Sequence, residues 1–446
     1  MQFRSRLSRN KNNISLSGFG GLNFGAYFYR LIRCGLIVRK VLVVSTFLIL
    51  GHLQIWGEEI PESQDRPTTR QEIFLRSRIT KSRSLTPYRI TGFERRFLKY
   101  EKRPLWQKLT LKGHHGFRLL LGGMRSGSGL SYGVGYVKGR DRDALKLSIR
   151  AMHSTKMYQQ LDGLAEFPTP VSGSPVQAYI KAGYRDYRQV NFFGLGPSSG
   201  KSSESTFRFQ DRRLAGGVKI LSRDLFEIGG EIGLINTHIF PGRRSPSLEE
   251  NFVISQTPGF LDSPEYLTYG GYMQLKIFDS GFPPAGVRFR LGLDRFAERG
   301  REFFSFTRVT GEISILTPLG FRNRRLAVRV RTSHSMPDSG HRVPFFMMET
   351  VGGSRSLRGF QEYRFRDYRN LVLNLEYRWE VWPHADFVIF GDMGKVFEKS
   401  RDLDLSGLEK SIGFGMRAEL EGLRFRIDFA KSEEGFRIHF GGGPLF

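Results

Sequence analysis

The chain has 446 residues, 39% of them hydrophobic and 13% aromatic, with 52 glycines and a formal charge of +26. This composition excludes a disordered polymer and leaves length enough for one large core or barrel. The single cysteine, Cys34, lies so early that a disulfide framework or a cysteine-ligated metal is excluded from everything after it.

The N-terminus reads as an export signal with extra residues in front. Arg39 and Lys40 precede the apolar run 41–50, which suits the hydrophobic region of a signal peptide and is too short to span a bilayer as a helix. Cleavage is expected near Gly57, giving a signal region of 1–57. Ile55 is not the small residue such a site favours, so its position stays open. Residues ahead of about Val38 read as the product of an upstream start. No later segment reaches the roughly 18 consecutive apolar residues of a transmembrane helix. Any membrane-spanning part must therefore be built of strands.

Eight positive charges and no negative ones fall within 1–57, so the remainder still carries +18. Nucleic acid is the reflex partner of so basic a chain, but an exported protein rarely meets it, and no recognition-helix or zinc pattern is present. Anionic outer-membrane lipid and lipopolysaccharide fit better. Residues 58–115 are basic and interrupted by prolines. Within them Thr91-Gly92-Phe93-Glu94 has the form of a capping box, opening a short amphipathic helix over 92–102. That helix would lie on the membrane surface or beneath a barrel, or serve only as a linker.

From Gly116 onward the hydrophobic period becomes two. Leu371, Leu373, Leu375, Tyr377, Trp379 and Val381 alternate with Asn370, Asn374, Glu376, Arg378 and Glu380, the signature of a two-faced strand. Sixteen such strands are predicted. The first eight fall at 116–124, 129–138, 143–154, 156–166, 176–186, 205–220, 225–239 and 265–279. The second eight fall at 286–297, 303–317, 324–334, 369–381, 385–393, 411–420, 422–431 and 435–442. An even number of strands with one apolar and one charged face predicts an all-β fold, a 16-stranded antiparallel transmembrane barrel at the bacterial outer membrane. A soluble sandwich would not hide arginine on every second position of its last strands, because a packed core does not tolerate repeated unpaired charge. A wet lumen does. Phe436, Ile438, Phe440 and the terminal Phe446 share one parity, giving a last strand that finishes on an aromatic barrel signal.

Three patterns that resemble enzyme or metal sites are set aside. Gly196-Pro197-Ser198-Ser199-Gly200 matches G-x-S-x-G but sits in a polar loop with no helix after it. Gly413 to Ala418 fits a loose dinucleotide fingerprint inside an alternating strand, without a βαβ unit. His114-His115 has no nearby carboxylate or thiol, so no metal is expected there, and no cofactor is called for. The sequence reads as a non-enzyme.

Between the eleventh and twelfth strands stands Gly352-Gly353-Ser354-Arg355-Ser356-Leu357-Arg358-Gly359-Phe360, the start of a stretch with five arginines in 19 residues. A connection this long, 341–368, is expected to be functional. Here the chain resembles the bacterial surface antigen barrels of the outer-membrane protein assembly superfamily, which includes the BamA and TamA insertases and two-partner secretion transporters. Arg358-Gly359-Phe360 is similar to the Arg-Gly-aromatic tip of their lumen loop. Phe390, Asp392 and Gly394 are similar to the F-x-D-x-G motif of their thirteenth strand, and Phe193-Gly194-Leu195-Gly196 to another stretch common in these barrels.

The resemblance implies that the loop folds into the lumen and that Arg358 meets Asp392, with Glu376 as a second partner. The loop would then take part in transport, or only brace the barrel. It also implies insertion or translocation of proteins or lipids at the outer membrane; a passive pore or structural barrel is the alternative. Residues 58–115 accommodate no POTRA module, so the chain resembles the short barrels, with 116–446 as the barrel domain. Gly122-Gly123 in the first strand and Gly441 to Pro444, into which the last runs, predict either a weak seam able to open sideways or an ordinary frayed end.

Overall fold

The computed structural model describes residues 116–442, apart from short stretches at several strand connections, together with a few residues between 76 and 92. The signal region 1–57, the predicted helix beyond Gly92, His114-His115 and Phe446 lie outside the described residues. In the N-terminal unit, Met1–Arg89, residues 76 and 78–80 are helical, and Thr80 Oγ1 donates to the Arg76 carbonyl at 2.9 Å.

The second unit is built on period-two alternation. Its strands begin with β1 (Phe117–Leu121), β2 (Ser131–Lys138), β3 (Lys146–Ser154), β4 (Gln159–Pro168), β5 (Val176–Phe192) and β6 (Ser205–Ser222). They continue with β7 (Phe226–Pro241), β8 (Glu265–Asp279), β9 (Ala285–Arg299), β10 (Phe306–Pro318), β11 (Arg324–Pro337) and the short β12 (Glu349–Val351). The last six are β13 (Phe365–Asp367), β14 (Arg369–Trp382), β15 (Ala385–Phe397), β16 (Glu409–Leu420), β17 (Leu423–Ser432) and β18 (Gly435–Gly442).

Sixteen of these form one antiparallel sheet in chain order, in which β11 pairs directly with β14 from Arg324↔Trp379 to His334↔Arg369. β14 and β15 are thus the twelfth and thirteenth strands of the barrel wall. β12 and β13 form a separate two-stranded sheet, Glu349↔Asp367 to Val351↔Phe365, inside the loop that had been read only as a connection. A second correction concerns the first strand. β1 ends at Leu121, so Gly122 stands beyond it at φ 75°, where its N–H donates to the Ser131 carbonyl at 2.7 Å.

The sheet is inside out relative to a soluble protein. Leu214, Ile232, Leu293, Trp379, Ile389, Ile412 and Phe440 are exposed on the outer face, whereas Asp211, Arg329, Asn374, Glu376, Asp392, Arg426 and Asp428 are buried on the inner one. Hydrocarbon outside explains the first set, and mutual pairing in the lumen the second. Among the described residues no ladder joins β1 to β18. Tyr187 and Phe192 of β5 and Phe207 of β6 join Tyr158, Leu248, Phe345 and Tyr363 of the connections in one aromatic-rich cluster.

Candidate functional site

The loop that follows β11 is held in the lumen through its own backbone. A non-regular segment away from water must find partners for its carbonyls, and here the wall supplies them. Arg426 Nη2 of β17 donates to the Ser354 carbonyl at 3.4 Å, Arg329 of β11 to that of Arg355, and Asn374 Nδ2 of β14 to that of Ser356 at 2.7 Å. His439 Nε2 of β18 lies 2.7 Å from the Arg358 carbonyl, and Ser432 Oγ of β17 donates to that of Gly359 at 2.8 Å. Gly352 and Gly353, at φ 119° and 90°, begin the turn where a side chain would be strained, and a Cβ on Gly352 would stand 2.3 Å from the Gln361 carbonyl oxygen.

At the tip the Arg358 guanidinium is fully buried and makes a fork with Asp392: Nε to Oδ2 at 2.8 Å and Nη2 to Oδ1 at 2.6 Å. Its Nη1 donates to Glu376 Oε1 at 2.6 Å and lies 3.7 Å from Asp428 Oδ1, while its backbone N–H reaches Asp392 Oδ2 at 3.1 Å. The plane of the guanidinium rests 3.4 Å from the ring centroid of Phe390. Burial alone would lower the pKa of Arg358; the charge and hydrogen bonds of Asp392, followed by Glu376 and Asp428, hold it above its ordinary value instead.

The three carboxylates are shared. Arg378 and Arg417 also reach Glu376, at 2.7 and 3.1 Å, and Arg417 and Arg426 reach Asp428, at 2.6 and 3.2 Å. Asn374 Nδ2 and Ser411 Oγ donate to Asp392, at 2.7 and 3.3 Å. Four arginines and three carboxylates therefore compensate one another in a region nearly free of solvent, which makes burial of so much charge tolerable.

The remaining motif residues are placed around this cluster. Gly359 passes so close to the wall that a Cβ would stand 2.6 Å from the Ser411 Cβ and 2.7 Å from that of Ser432, so only glycine lets the arginine reach its partners. Phe360 is buried with Leu357, Val351, Phe365, Val372 and Val396. At Gly394 a Cβ would meet the Leu371 carbonyl at 2.7 Å and Val351 of β12 at 3.4 Å. Phe193 lies under Arg364, 5.0 Å from ring centroid to guanidinium, and the Gly196 N–H donates to the Arg366 carbonyl at 2.8 Å. Ser199 of the G-x-S-x-G stretch accepts from Arg364 at 3.1 Å, and the Gly413 to Ala418 stretch lies within β16. Arg378 had been read only as a member of a charged face, and Arg417 only within the Gly413 to Ala418 stretch; Arg426 and Asp428 belong to the same lumenal pattern. Their shared lumenal parity was the signal that could have joined them to Arg358.

Residues 271–446 match the family described as the Omp85 superfamily domain. The matched stretch runs from within β8 to the C-terminus, less than half of the chain. The barrel is similar in fold to the crystal structure of BamA from Haemophilus ducreyi lacking POTRA domains 1–3, with 16% identity, a TM-score of 0.53, and coverage of 73% of this chain and 69% of that one. CdiB from Escherichia coli is also similar, at 13% identity and a TM-score of 0.51, over 74% of this chain; the match spans 62% of the CdiB chain, less than two thirds of it. No curated protein matches the chain in sequence.

Proposed function

We propose that this Omp85 barrel aids insertion or translocation of proteins or lipids at the outer membrane, with the Arg358 loop as the element that keeps the lumen occupied between events. The observation that carries the reading is the clamp itself: a loop tip fixed by four hydrogen bonds to Asp392 and Glu376 across the inside of the wall. A passive pore gains nothing from a plug tied by so many directional contacts. In this reading residues 1–57 are the export signal, 58–115 a periplasmic segment, and the terminal Phe446 part of the barrel signal. The barrel face meets lipid and lipopolysaccharide, and the activity involves no catalytic chemistry.

The test is reconstitution of the full chain in lipid vesicles, with an unfolded β-barrel substrate offered from outside. Faster substrate folding than in empty vesicles is expected, and slower folding with Arg358→Ala. Equal rates with and without the protein, together with a steady large ion conductance, would replace the proposal with a passive pore.

A further inference from the structure

A cavity of about 640 Å³ lies inside the barrel, between the lumenal faces of β3, β5, β6, β10, β11 and β14 and loop residues 346–366. Its charge is one-sided: eight arginines and two glutamates line it. Two further carboxylates stand behind the arginines. Arg150 is 3.1 Å from Asp162, and Arg185 and Arg213 share the buried Asp211. Arg308 meets Glu349 at 2.7 Å. Glu312 of β10 stands opposite Arg331 in the ladder and pairs with Arg288 at 3.4 Å. Eight guanidiniums are thus set against five carboxylates, and among the described residues Arg331 and Arg355 form no ion pair.

The surplus differs in kind from the Arg358 cluster, where each arginine has a carboxylate within 4 Å. Fixed positive charge walled by protein raises the local concentration of anions. Guanidinium forks match phosphate oxygens in pairs, which a lysine could not do. The volume falls within the range of small-molecule sites, about 300 to 1,000 Å³.

We propose that this cavity is a binding site for a phosphate-bearing anion, seated against Arg331 and Arg355 with Arg185, Arg213 and Arg308 around it. The same chemistry reaches the lumen either free in solution or on the headgroup of a phosphorylated glycolipid. The site rests on the barrel and its loop alone, so it stands or falls separately from transport.

Calorimetric titration of the full-length protein in phosphatidylcholine–detergent micelles tests it, with inorganic pyrophosphate as one probe and micelles containing lipid A as the other. Saturable binding is expected for at least one probe, weakened about tenfold or more in the Arg331→Gln/Arg355→Gln double variant. Arg401→Gln, on the exposed β15–β16 connection, should leave it unchanged. Binding of pyrophosphate assigns the free anion, and binding of lipid A alone the headgroup. No binding of either, or equal binding by the double variant, overturns the proposal. Should that variant fail to show the mobility of the folded barrel in unheated electrophoresis, Arg355→Gln alone, at an exposed position of the loop, makes the same comparison.

Discussion

The walls formed by β14–β17 and by β1–β4 are held in different ways. The first has strands of 10 to 14 residues whose inner faces grip the loop through buried ions. In the second, β1 has only five residues, and the strands carry an open apolar groove lined by the outward-facing Leu119, Tyr132, Val134 and Leu161. Contact with the loop is apolar there: Met124 and Met152 share a cluster with Tyr363. Directional contacts fix a single geometry, whereas a five-residue strand closes few ladder hydrogen bonds. The strong wall is the anchor, and the weak one ends at the seam.

A cysteine on β1 joined by a disulfide to one on β18 would remove that difference. The only native cysteine is Cys34, so the engineered pair would be clean in the exported chain. If the seam parts during function, substrate folding in vesicles should stop under oxidising conditions and return on reduction. Full activity with the disulfide closed would show that the seam is an ordinary frayed end.

Arg358→Ala attacks the anchored wall. It leaves Asp392 without its fork and Phe390 without its cation, a buried charge imbalance on the order of 3 to 5 kcal/mol. The loop should become cleavable by protease near 352–366 while the barrel resists. Arg358→Lys should rescue little, because a point charge cannot span both oxygens of Asp392 and still reach Glu376. Unaltered protease resistance in both variants would mean that the backbone hydrogen bonds suffice to hold the loop.

Gly359→Ala is the milder perturbation. Its methyl would sit at 2.6 Å from the Ser411 Cβ, and overpacking of this kind costs about 1 to 3 kcal/mol. Partial protease sensitivity is expected, between wild type and Arg358→Ala. Wild-type behaviour would show that β16 and β17 yield to the loop.

How legible these two walls were in the sequence follows from how local each signal is. The alternation of Leu371 to Val381 needs only neighbours in sequence, and all sixteen wall strands were predicted within a few residues of where they lie. β5, β11 and β15 run further than their alternation suggests, because their ends pair on with β6, β10 and β14. The hairpin of β12 and β13 escaped notice because three-residue strands carry no period, and their pairing is set by the turn at Gly352-Gly353. Arg358 and its two expected partners were found through a resemblance supported by parity. The sharing of Glu376 and Asp428 among Arg378, Arg417 and Arg426 depends on register between strands, which one-dimensional alternation does not encode. The cavity arginines are scattered from Arg150 to Arg366 and form no local motif at all.

The smallest effect concerns the hairpin beside the anchored wall. Asp367 of β13 is buried opposite Glu349, and burial, with Glu398 and Asp402 nearby, raises its carboxyl to about 6 despite the Tyr368 N–H bond and Arg369. The folded loop therefore keeps a proton that the unfolded loop has already lost between about pH 4 and 6. Stability from this group is highest below that window and declines as pH rises through it, levelling off above. Amide exchange at 349–351 and 365–367, corrected for intrinsic rates, should show protection falling across the window in the wild type. Asp367→Asn keeps an oxygen for the Tyr368 N–H but cannot ionise, so its protection should stay flat. A decline of equal size in the variant would show that the pH dependence does not come from Asp367.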